Sequence, residues 1–436
     1  MGLMKLLWLA LISSVALARP IAFTGGRVFD GNRVLDGATL IIDEGRVISV
    51  GADELPQDAE VRDVRGKFII PGLISDHSHV GHVKGVDVGS AGYTRENMVA
   101  TLERYRRSGV TTVMSLGFNG AAFVDVRRDA HAGRLTGADV FGADRGVGVP
   151  DGAPPQDMVK LDADQLFRPA TAEEARDAVR QMKARETDFV KLWLDDFGGQ
   201  VKQKMKPEVL MAVIDEAHTV GLRVAAHVHD LEDARAAVKA GVDVLAHGVR
   251  DGPVDDALIA EMKKRGTWYL ATLQLDEATV AWAERAPWTR SKFVTAALSP
   301  EFAAQRASPA WRERKLRDPK VPAARRSLKH GLVNLKTLFD AGVKVGFGTD
   351  SGGTPERVPG VAEHRELALM VEAGLTPLQA LGIATREAAK VLQLNDRGTL
   401  EPGKRADFVV LGADPLVDIA NTMNIVEVWA RGRRGP

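Results

Sequence analysis

Six polar residues lie within or just after short apolar runs of the sequence, and their side chains are of types that hold divalent metal ions. In chain order they are His77, His79, Lys191, His227, His247 and Asp350. His77 and His79 are two residues apart, so on an extended chain both imidazoles point to one side and can reach one ion. Imidazole and carboxylate ligands suit zinc, and they also accept manganese, cobalt or iron. The pattern therefore predicts a metal site.

A repeated pattern of glycines along the chain predicts the helices and strands that position these residues. Helical patterns repeatedly end at a glycine that is followed at once by a β-branched or apolar run, as at Gly109 and Gly241. Glycine is favoured there because it adopts the left-handed conformation at a helix C-terminus without cost. The eight candidate strands are residues 72–76, 109–113, 138–142, 189–194, 221–225, 241–245, 266–270 and 342–346.

Eight strands that alternate with helices predict an α/β protein with a closed (β/α)8 TIM barrel, in preference to an open, doubly wound sheet. In such a barrel, side chains at the C-terminal ends of the strands converge on one site. A single histidine at a strand end is more often structural than a ligand, and Lys191 alone could extend its ammonium group out of apolar surroundings. The convergence of all six residues favours the metal site.

The two ends of the chain have a different pattern. Residues 19–70 and 395–436 show short strands separated by turn signals, and neither segment is long enough to bury a core by itself. We therefore expect them to form one small β-sandwich domain beside a barrel of residues 71–394. A helical insertion is predicted at 276–330. It contains three tryptophans and a basic cluster, and we interpret it as a solvated helical lid in preference to a dedicated anion site.

The first eighteen residues predict a signal peptide. Lys5 precedes an apolar run that is too short to span a bilayer, and small residues end the segment at Ala18. We expect cleavage after Ala18, export to the periplasm or the medium, and no stable membrane insertion of the mature chain.

Composition excludes several classes of protein. The 436 residues include 58 Lys and Arg against 58 Asp and Glu, so no net charge favours nucleic acid as a partner. The chain has no cysteine, which excludes disulfides, thiolate metal sites and cysteine nucleophiles. An apolar fraction of 45% is that of an ordinary folded protein, which excludes disordered and coiled-coil classes.

Three motifs resemble the amidohydrolase superfamily, and the resemblance extends over residues 20–436. They are Ile70-Pro71-Gly72-Leu73-Ile74-Ser75-Asp76-His77-Ser78-His79, Gly348-Thr349-Asp350-Ser351 and Gly398-Thr399-Leu400-Glu401-Pro402-Gly403-Lys404-Arg405-Ala406-Asp407. The similarity is greatest to the imidazolonepropionase-like and prolidase-like dipeptidase branch. That branch implies a distorted (β/α)8 barrel with a β-sandwich built from both chain ends, and it suggests a homo-oligomer.

The resemblance also implies a role for each of the six residues. His77, His79 and Asp350 would bind a first metal ion, and His227 and His247 a second. Lys191 would be carbamylated and bridge the two ions, which would explain a lysine in an apolar strand. A hydroxide between the ions would attack the substrate, because metal ions lower the pKa of bound water. Asp350 would accept its proton and deliver it to the leaving nitrogen.

Two segments depart from the dipeptidase-like branch. Where that branch commonly has a Thr-Gly-Gly stretch after the bridging lysine, this chain has Trp193-Leu194-Asp195-Asp196-Phe197-Gly198-Gly199. Where the second strand of the branch often ends in Arg-Asp, this chain has Met114-Ser115. These positions line the substrate pocket in the branch. Further candidates for substrate contacts are His229, Tyr269, His82 and Arg145.

The sequence thus predicts an exported, metal-dependent hydrolase that cleaves an amide-type C–N bond of a small molecule, with a dipeptide or an N-acyl amino acid as the leading substrate. One alternative is a one-metal deaminase of a cyclic amidine, although such an enzyme does not need Lys191. Another is hydrolysis of an ester, lactone or phosphotriester on the same two ions. A non-catalytic binding protein is disfavoured because the ligand set is intact.

Overall fold

The structure, a computed structural model, describes residues 19–51, 54–156 and 159–435. The predicted signal peptide lies outside the described residues. Among the helices that are described, none is long and apolar enough to cross a membrane.

Eighteen strands are present in the described part of the chain. They are β1 (Ile21–Phe29), β2 (Val34–Asp43), β3 (Arg46–Val50), β4 (Glu60–Asp63), β5 (Phe68–Pro71), β6 (Leu73–Ser78), β7 (Val83–Lys84), β8 (Asp87–Val88), β9 (Val110–Leu116), β10 (Asp139–Ala143), β11 (Phe189–Trp193), β12 (Arg223–His227), β13 (Val244–Ala246), β14 (Trp268–Leu270), β15 (Lys344–Val345), β16 (Phe408–Leu411), β17 (Ile425–Ala430) and β18 (Arg433–Arg434).

Fourteen α-helices connect or follow these strands in the same described residues. They are α1 (Arg95–Arg107), α2 (Ala121–His131), α3 (Ala172–Ala184), α4 (Pro207–Thr219), α5 (Leu231–Ala240), α6 (Asp256–Arg265), α7 (Leu273–Glu284), α8 (Lys292–Ala296), α9 (Pro300–Ala307), α10 (Pro309–Leu316), α11 (Lys320–Asp340), α12 (Val361–Glu372), α13 (Pro377–Gly382) and α14 (Ala388–Val391).

Eight parallel strands form the barrel, and they match the eight runs identified in the sequence. One arc pairs β6, β9 and β10, and the other pairs β11 through β15 in chain order. A bridge from Val147 to Leu192 joins the arcs on one side, and a bridge from Ser78 to Ser351 joins them on the other. The predicted (β/α)8 barrel is confirmed, and the residues that follow each strand lie at one rim.

Strands from both chain ends form the second, smaller domain. Its hydrogen-bonded order is β18-β17-β16-β5-β1-β2-β3, with β4 added to β1, so C-terminal strands pair directly with the N-terminal strand β5. Phe23, Phe408 and Trp429 meet in its core with ring centroids 5.0 to 5.7 Å apart. Neither end could bury these rings alone, which is why the domain needs both.

A buried ionic cluster joins the small domain to the N-terminal face of the barrel. Oδ2 of Asp139, the first residue of β10, accepts hydrogen bonds from Arg397 and Arg405 at 2.7 Å and from Arg431 at 3.1 Å. These arginines compensate the negative charge of Asp139, because a buried carboxylate without a partner is costly.

The segment between β14 and β15, which includes residues 276–330, is helical and runs through α7 to α11. Two of its three tryptophans are buried rather than exposed to solvent. Trp282 and Trp311 are buried with Phe302, and this cluster packs against Val358 and Val361 from the segment after the eighth strand. The insertion therefore has its own apolar core, which anchors it beside the rim of the barrel.

Candidate metal centre

The six predicted ligands meet at the C-terminal rim of the barrel because five of its strands, or the segments that follow them, carry them there. His77 lies in β6, Lys191 in β11 and His227 at the end of β12, while His247 and Asp350 follow β13 and β15. All six side chains are buried; they are His77, His79, Lys191, His227, His247 and Asp350.

The backbone is held in an unusual conformation at two of these positions. His247 has φ of 94° and Asp350 has φ of 58°, both in the left-handed region that residues other than glycine rarely adopt. Such conformations persist only where the surroundings impose them, and they occur frequently at functional sites. Here they turn the chain at His247, directly after β13, and at Asp350, in the segment after β15, and both side chains belong to the cluster.

Asp350 lies at the centre of one half of the cluster. Its Oδ1 atom is 2.9 Å from Nε2 of His79 and 3.4 Å from Nε2 of His77. One ligand atom from each of His77, His247 and Asp350 falls within 4.8 Å of the other two. His77, His79 and Asp350 are therefore a buried group of nitrogen and oxygen donors, and His247 lies within ligand distance of this half.

His247 connects this half to the other. The centroid of its ring is 4.5 Å from that of His77 and also 4.5 Å from that of His227. Oδ2 of Asp195, which follows β11, lies 3.4 Å from Nε2 of His227. The second half of the cluster thus contains His227, His247 and a carboxylate that the sequence patterns did not single out.

The donor atoms fit divalent ions. Two atoms bound about 2.1 Å from one zinc ion at a tetrahedral angle lie about 3.4 Å apart, as do the paired atoms of His77 and Asp350. Several buried polar atoms have no hydrogen-bond partner among the described residues, which is costly unless an ion satisfies them. They are Nδ1 and Nε2 of His77, Nδ1 of His79, Nδ1 of His227 and Nζ of Lys191.

Burial sets the protonation of the histidines. Removal from water lowers the pKa of His79 to about 3, with a further contribution from the charge of Lys191. Burial likewise places the pKa values of His77, His227 and His247 well below the ordinary value. All four imidazoles are therefore neutral at physiological pH, which is the form that binds metal.

Lys191 and Asp195 have opposite charges but similar burial. Burial lowers the pKa of Lys191 to about 7, although the negative charge of Asp195 opposes this. Burial raises the pKa of Asp195 to about 7, against the charge of Arg250. A lysine with a lowered pKa has the neutral amine that carbamylation requires, so the environment of Lys191 is compatible with that modification.

Arg357 contacts the cluster from the loop after the eighth strand. Its guanidinium forms an ion pair with Asp350, and burial lowers its pKa to about 10. The loop folds tightly at two glycines: a Cβ atom at Gly352 would lie 2.2 Å from the carbonyl oxygen of His79, and one at Gly353 would lie 2.9 Å from Nη1 of Arg357. The arginine is thus built into the rim.

Aromatic side chains at the ends of the second and fourth barrel strands, β9 and β11, form a wall beside the cluster. The ring of Phe118 stacks between His79, at 5.2 Å, and Trp193, at 4.7 Å, and Phe197 stacks on His227 at 4.5 Å. The indole of Trp193 fits there because Gly117 and Gly146 have no side chains; a Cβ atom at either would lie within 2.7 Å of it. This wall suits an apolar group.

The four predicted substrate contacts have different surroundings. His82 is buried 5.6 Å from Phe118, and His229 lies over Gly198 with its Nδ1 atom 2.5 Å from Asp230. Tyr269 is buried, and the absence of a side chain at Gly248 makes room for its hydroxyl. The guanidinium of Arg145 lies over the ring of Phe167, 4.5 Å from its centroid.

Two functional candidates at this rim, Asp195 and Arg357, are missing from the sequence prediction. Asp195 lies two residues after the apolar strand β11, much as the predicted ligand His247 follows β13, and this signal could have identified it. No comparable signal exists for Arg357, because it lies seven residues beyond Asp350 and returns to it only through the fold of the loop.

Comparison with known proteins agrees with this geometry. Residues 68–435 match the amidohydrolase family, and residues 21–69 match the NagA composite domain. An uncharacterized protein of Mycobacterium tuberculosis (strain ATCC 25618 / H37Rv) is 28% identical over 354 residues, which are 80% of each chain. An imidazolonepropionase of Deinococcus deserti is 42% identical over 103 residues, 23% of this chain and 25% of that protein.

A solved structure shares the fold over nearly the whole chain. A Xaa-Pro dipeptidase with methionine bound in its active site superposes with a TM-score of 0.74 at 24% sequence identity, covering 95% of this chain and 99% of the other. The predicted superfamily resemblance and fold class are confirmed by these matches.

Proposed function

Because the chain belongs to the amidohydrolase family, we propose that it uses two divalent ions to hydrolyse an amide-type C–N bond in a dipeptide or an N-acyl amino acid. The observation that carries this proposal is the buried convergence of unpartnered donor atoms at one rim of the barrel. Fold alone would not decide the function, since one fold supports many reactions.

The ligands divide between the two proposed ions. His77, His79 and Asp350 would hold the first, His227 and His247 would hold the second, and a carbamate on Lys191 would be a ligand of both. The supporting observations for the bridge are that Lys191 is fully buried, with Nζ unpartnered among the described residues, and that its charge lowers the pKa values of histidines in both halves of the donor set, such as His79 and His227. Zinc is the proposed metal because neutral imidazole and carboxylate are the donors present.

The ions supply an activated water at neutral pH and polarise the scissile carbonyl. The protein supplies the proton transfer. Asp350 has its carboxylate at the centre of the first half, so we assign to it the acceptance of a proton from the attacking water and its delivery to the leaving nitrogen. The aromatic wall excludes water from one side of the site and receives the apolar part of the substrate.

Metal content tests the proposal. Mature protein purified with bicarbonate is expected to contain about two ions per chain, and Lys191→Ala about one or none, because the bridge is lost. One ion per chain that is unchanged in Lys191→Ala would move the assignment to a one-metal deaminase. If no ion is bound after loading with zinc or manganese, the proposal that this protein is a metal-dependent enzyme is refuted.

A substrate panel tests the type of bond. Dipeptides and N-acyl amino acids are expected to be hydrolysed. Matched esters, lactones and phosphotriesters test the alternative reaction, which would use the same two ions. Turnover of esters or phosphotriesters without turnover of any amide would refute the amide assignment while leaving the metal site intact.

We also propose that the mature enzyme begins at Arg19, is exported and forms a homo-oligomer. Export is supported by the signal-peptide pattern of residues 1–18. N-terminal sequencing of protein from the cell envelope or medium tests the cleavage site, and light scattering of the purified protein tests the oligomer. An intact Met1 in the cytoplasmic fraction would refute export.

A further inference from the structure

Asp195 has the environment of a metal ligand although it lies outside the set assigned above. Its side chain is fully buried, and its Oδ2 atom has no hydrogen-bond partner among the described residues. On the other carboxylate oxygen, the backbone N–H of Phe197 donates a long hydrogen bond of 3.4 Å to Oδ1. The charges of Arg250 and Lys191 act on this carboxylate, but a buried carboxylate oxygen without a hydrogen-bond partner is costly unless a cation binds it.

The unpartnered oxygen faces the cluster. Oδ2 of Asp195 is 3.4 Å from Nε2 of His227, yet the two atoms do not form a hydrogen bond. The distance equals that from Oδ1 of Asp350 to Nε2 of His77 in the first half of the site. It also equals the separation of about 3.4 Å expected for two atoms on one tetrahedral ion. Each half of the cluster therefore contains a histidine and an aspartate at the same spacing.

We propose that Asp195 is a ligand of the second metal ion, together with His227 and His247. The inference rests on the proposed two-metal function and adds a carboxylate to the half that otherwise holds only imidazoles and the carbamate. A second carboxylate lowers the net positive charge of the two-ion site, and it strengthens binding of the second ion.

The neighbouring residue provides a matched control. Asp196 precedes the same turn and accepts a hydrogen bond from the backbone N–H of Gly199, but it is only partly buried and pairs with Lys204 at 3.7 Å. Asp195→Asn and Asp196→Asn make the same chemical change at adjacent positions. Asparagine keeps the shape of the side chain, and thermal unfolding of the metal-free proteins checks that both variants fold.

The experiment is a titration with Co²⁺ against a competing chelator, followed by visible absorption. Wild type and Asp196→Asn are expected to bind two Co²⁺ per chain. Asp195→Asn is expected to bind the first ion with an unchanged Kd and the second at least about tenfold more weakly, with an altered spectrum of the second ion. Loss of both ions in folded Asp195→Asn, loss of neither, or a wild type that binds one ion would overturn the proposal.

This readout does not depend on turnover. If the Co²⁺ result is as expected but no amide is hydrolysed, the proposed reaction fails and the ligand assignment stands. If amides are hydrolysed and Asp195→Asn binds both ions as wild type does, the ligand assignment fails and the reaction stands.

Discussion

The hydroxyl oxygen of Thr272 lies 3.1 Å from Nδ1 of His247. Thr272 is buried between β14 and α7, and its φ of 48° turns the chain so that the hydroxyl reaches back across the rim. Because this contact occupies Nδ1, it leaves Nε2 of His247 as the ring nitrogen available to the metal centre. The threonine therefore orients a histidine that connects the two halves of the metal centre, and its hydroxyl oxygen can accept the hydrogen that Nδ1 carries when Nε2 binds an ion.

Thr272→Val is expected to weaken metal binding about tenfold, since loss of a partner that orients a ligating histidine typically has an effect of that size. Valine keeps the volume and branching of the side chain but not the hydrogen bond. Chelator competition on the folded variant measures the effect. Thr279→Val, on the outer part of the same helix, is the control, and an equal loss in both variants would contradict a specific role for Thr272.

Arg357→Gln is expected to strengthen binding of the first ion by about tenfold. The guanidinium forms an ion pair with Asp350, and a metal ion must compete with it for that carboxylate. A charged hydrogen bond contributes about 1.5 to 3 kcal/mol, and the lower value corresponds to a factor of about ten. If Arg357 instead holds Asp350 in its binding position, Arg357→Gln will bind the ion more weakly, and the measured sign decides between the two roles.

The barrel could be predicted because its local signals and its tertiary structure agree. Gly241 and Gly266 end α5 and α6 in the left-handed conformation, with φ of 107° and 71°, and a strand begins two or three residues after each. Pro207 begins α4, and proline is favoured in the first turn of a helix. The C-terminal ends of the strands of a parallel barrel lie at one rim. Prediction of the strands is therefore sufficient to predict that the six ligands lie close together.

The side chains that return to the site from loops could not be predicted in the same way. Arg357 reaches Asp350 only because Gly352 and Gly353 allow a tight turn. Thr272 reaches His247 through a left-handed backbone conformation that threonine rarely adopts. These contacts depend on three-dimensional loop geometry rather than on a period of hydrophobicity. Asp195 is different, because its position directly after a strand was visible in the sequence.

Trp193→Phe is expected to reduce the preference for substrates with a large apolar acyl group, with an increase in KM of about fivefold relative to a small acyl group. The indole fills a space between Gly117 and Gly146 and stacks on Phe118, and aromatic contacts of this type are worth about 0.5 to 1.5 kcal/mol. Steady-state kinetics with a pair of N-acyl amino acids measures it. An equal change in KM for both substrates would place Trp193 outside the apolar subsite.

Asp139→Asn is expected to destabilise the protein by about 3 to 5 kcal/mol, because it leaves three arginines without their shared buried carboxylate. The effect depends on pH in a defined direction. Burial alone would raise the pKa of Asp139, but the charges of Arg397 and Arg405 outweigh it and lower the pKa from 3.8 to about 2.

A carboxyl whose pKa is lowered by folding stabilises the protein above its unfolded pKa, and this stabilisation is lost as the pH falls toward the folded pKa. From pH 5 to pH 2, Asp139 should therefore account for about 2 kcal/mol of the decline in the free energy of unfolding of wild type. Urea unfolding at several pH values is expected to show a smaller decline in Asp139→Asn. Asp125→Asn, which removes an exposed pair with Arg128, should decline as wild type does, because exposed pairs contribute little. Parallel declines in all three proteins would show that the cluster between the barrel and the small domain is not what acid disrupts.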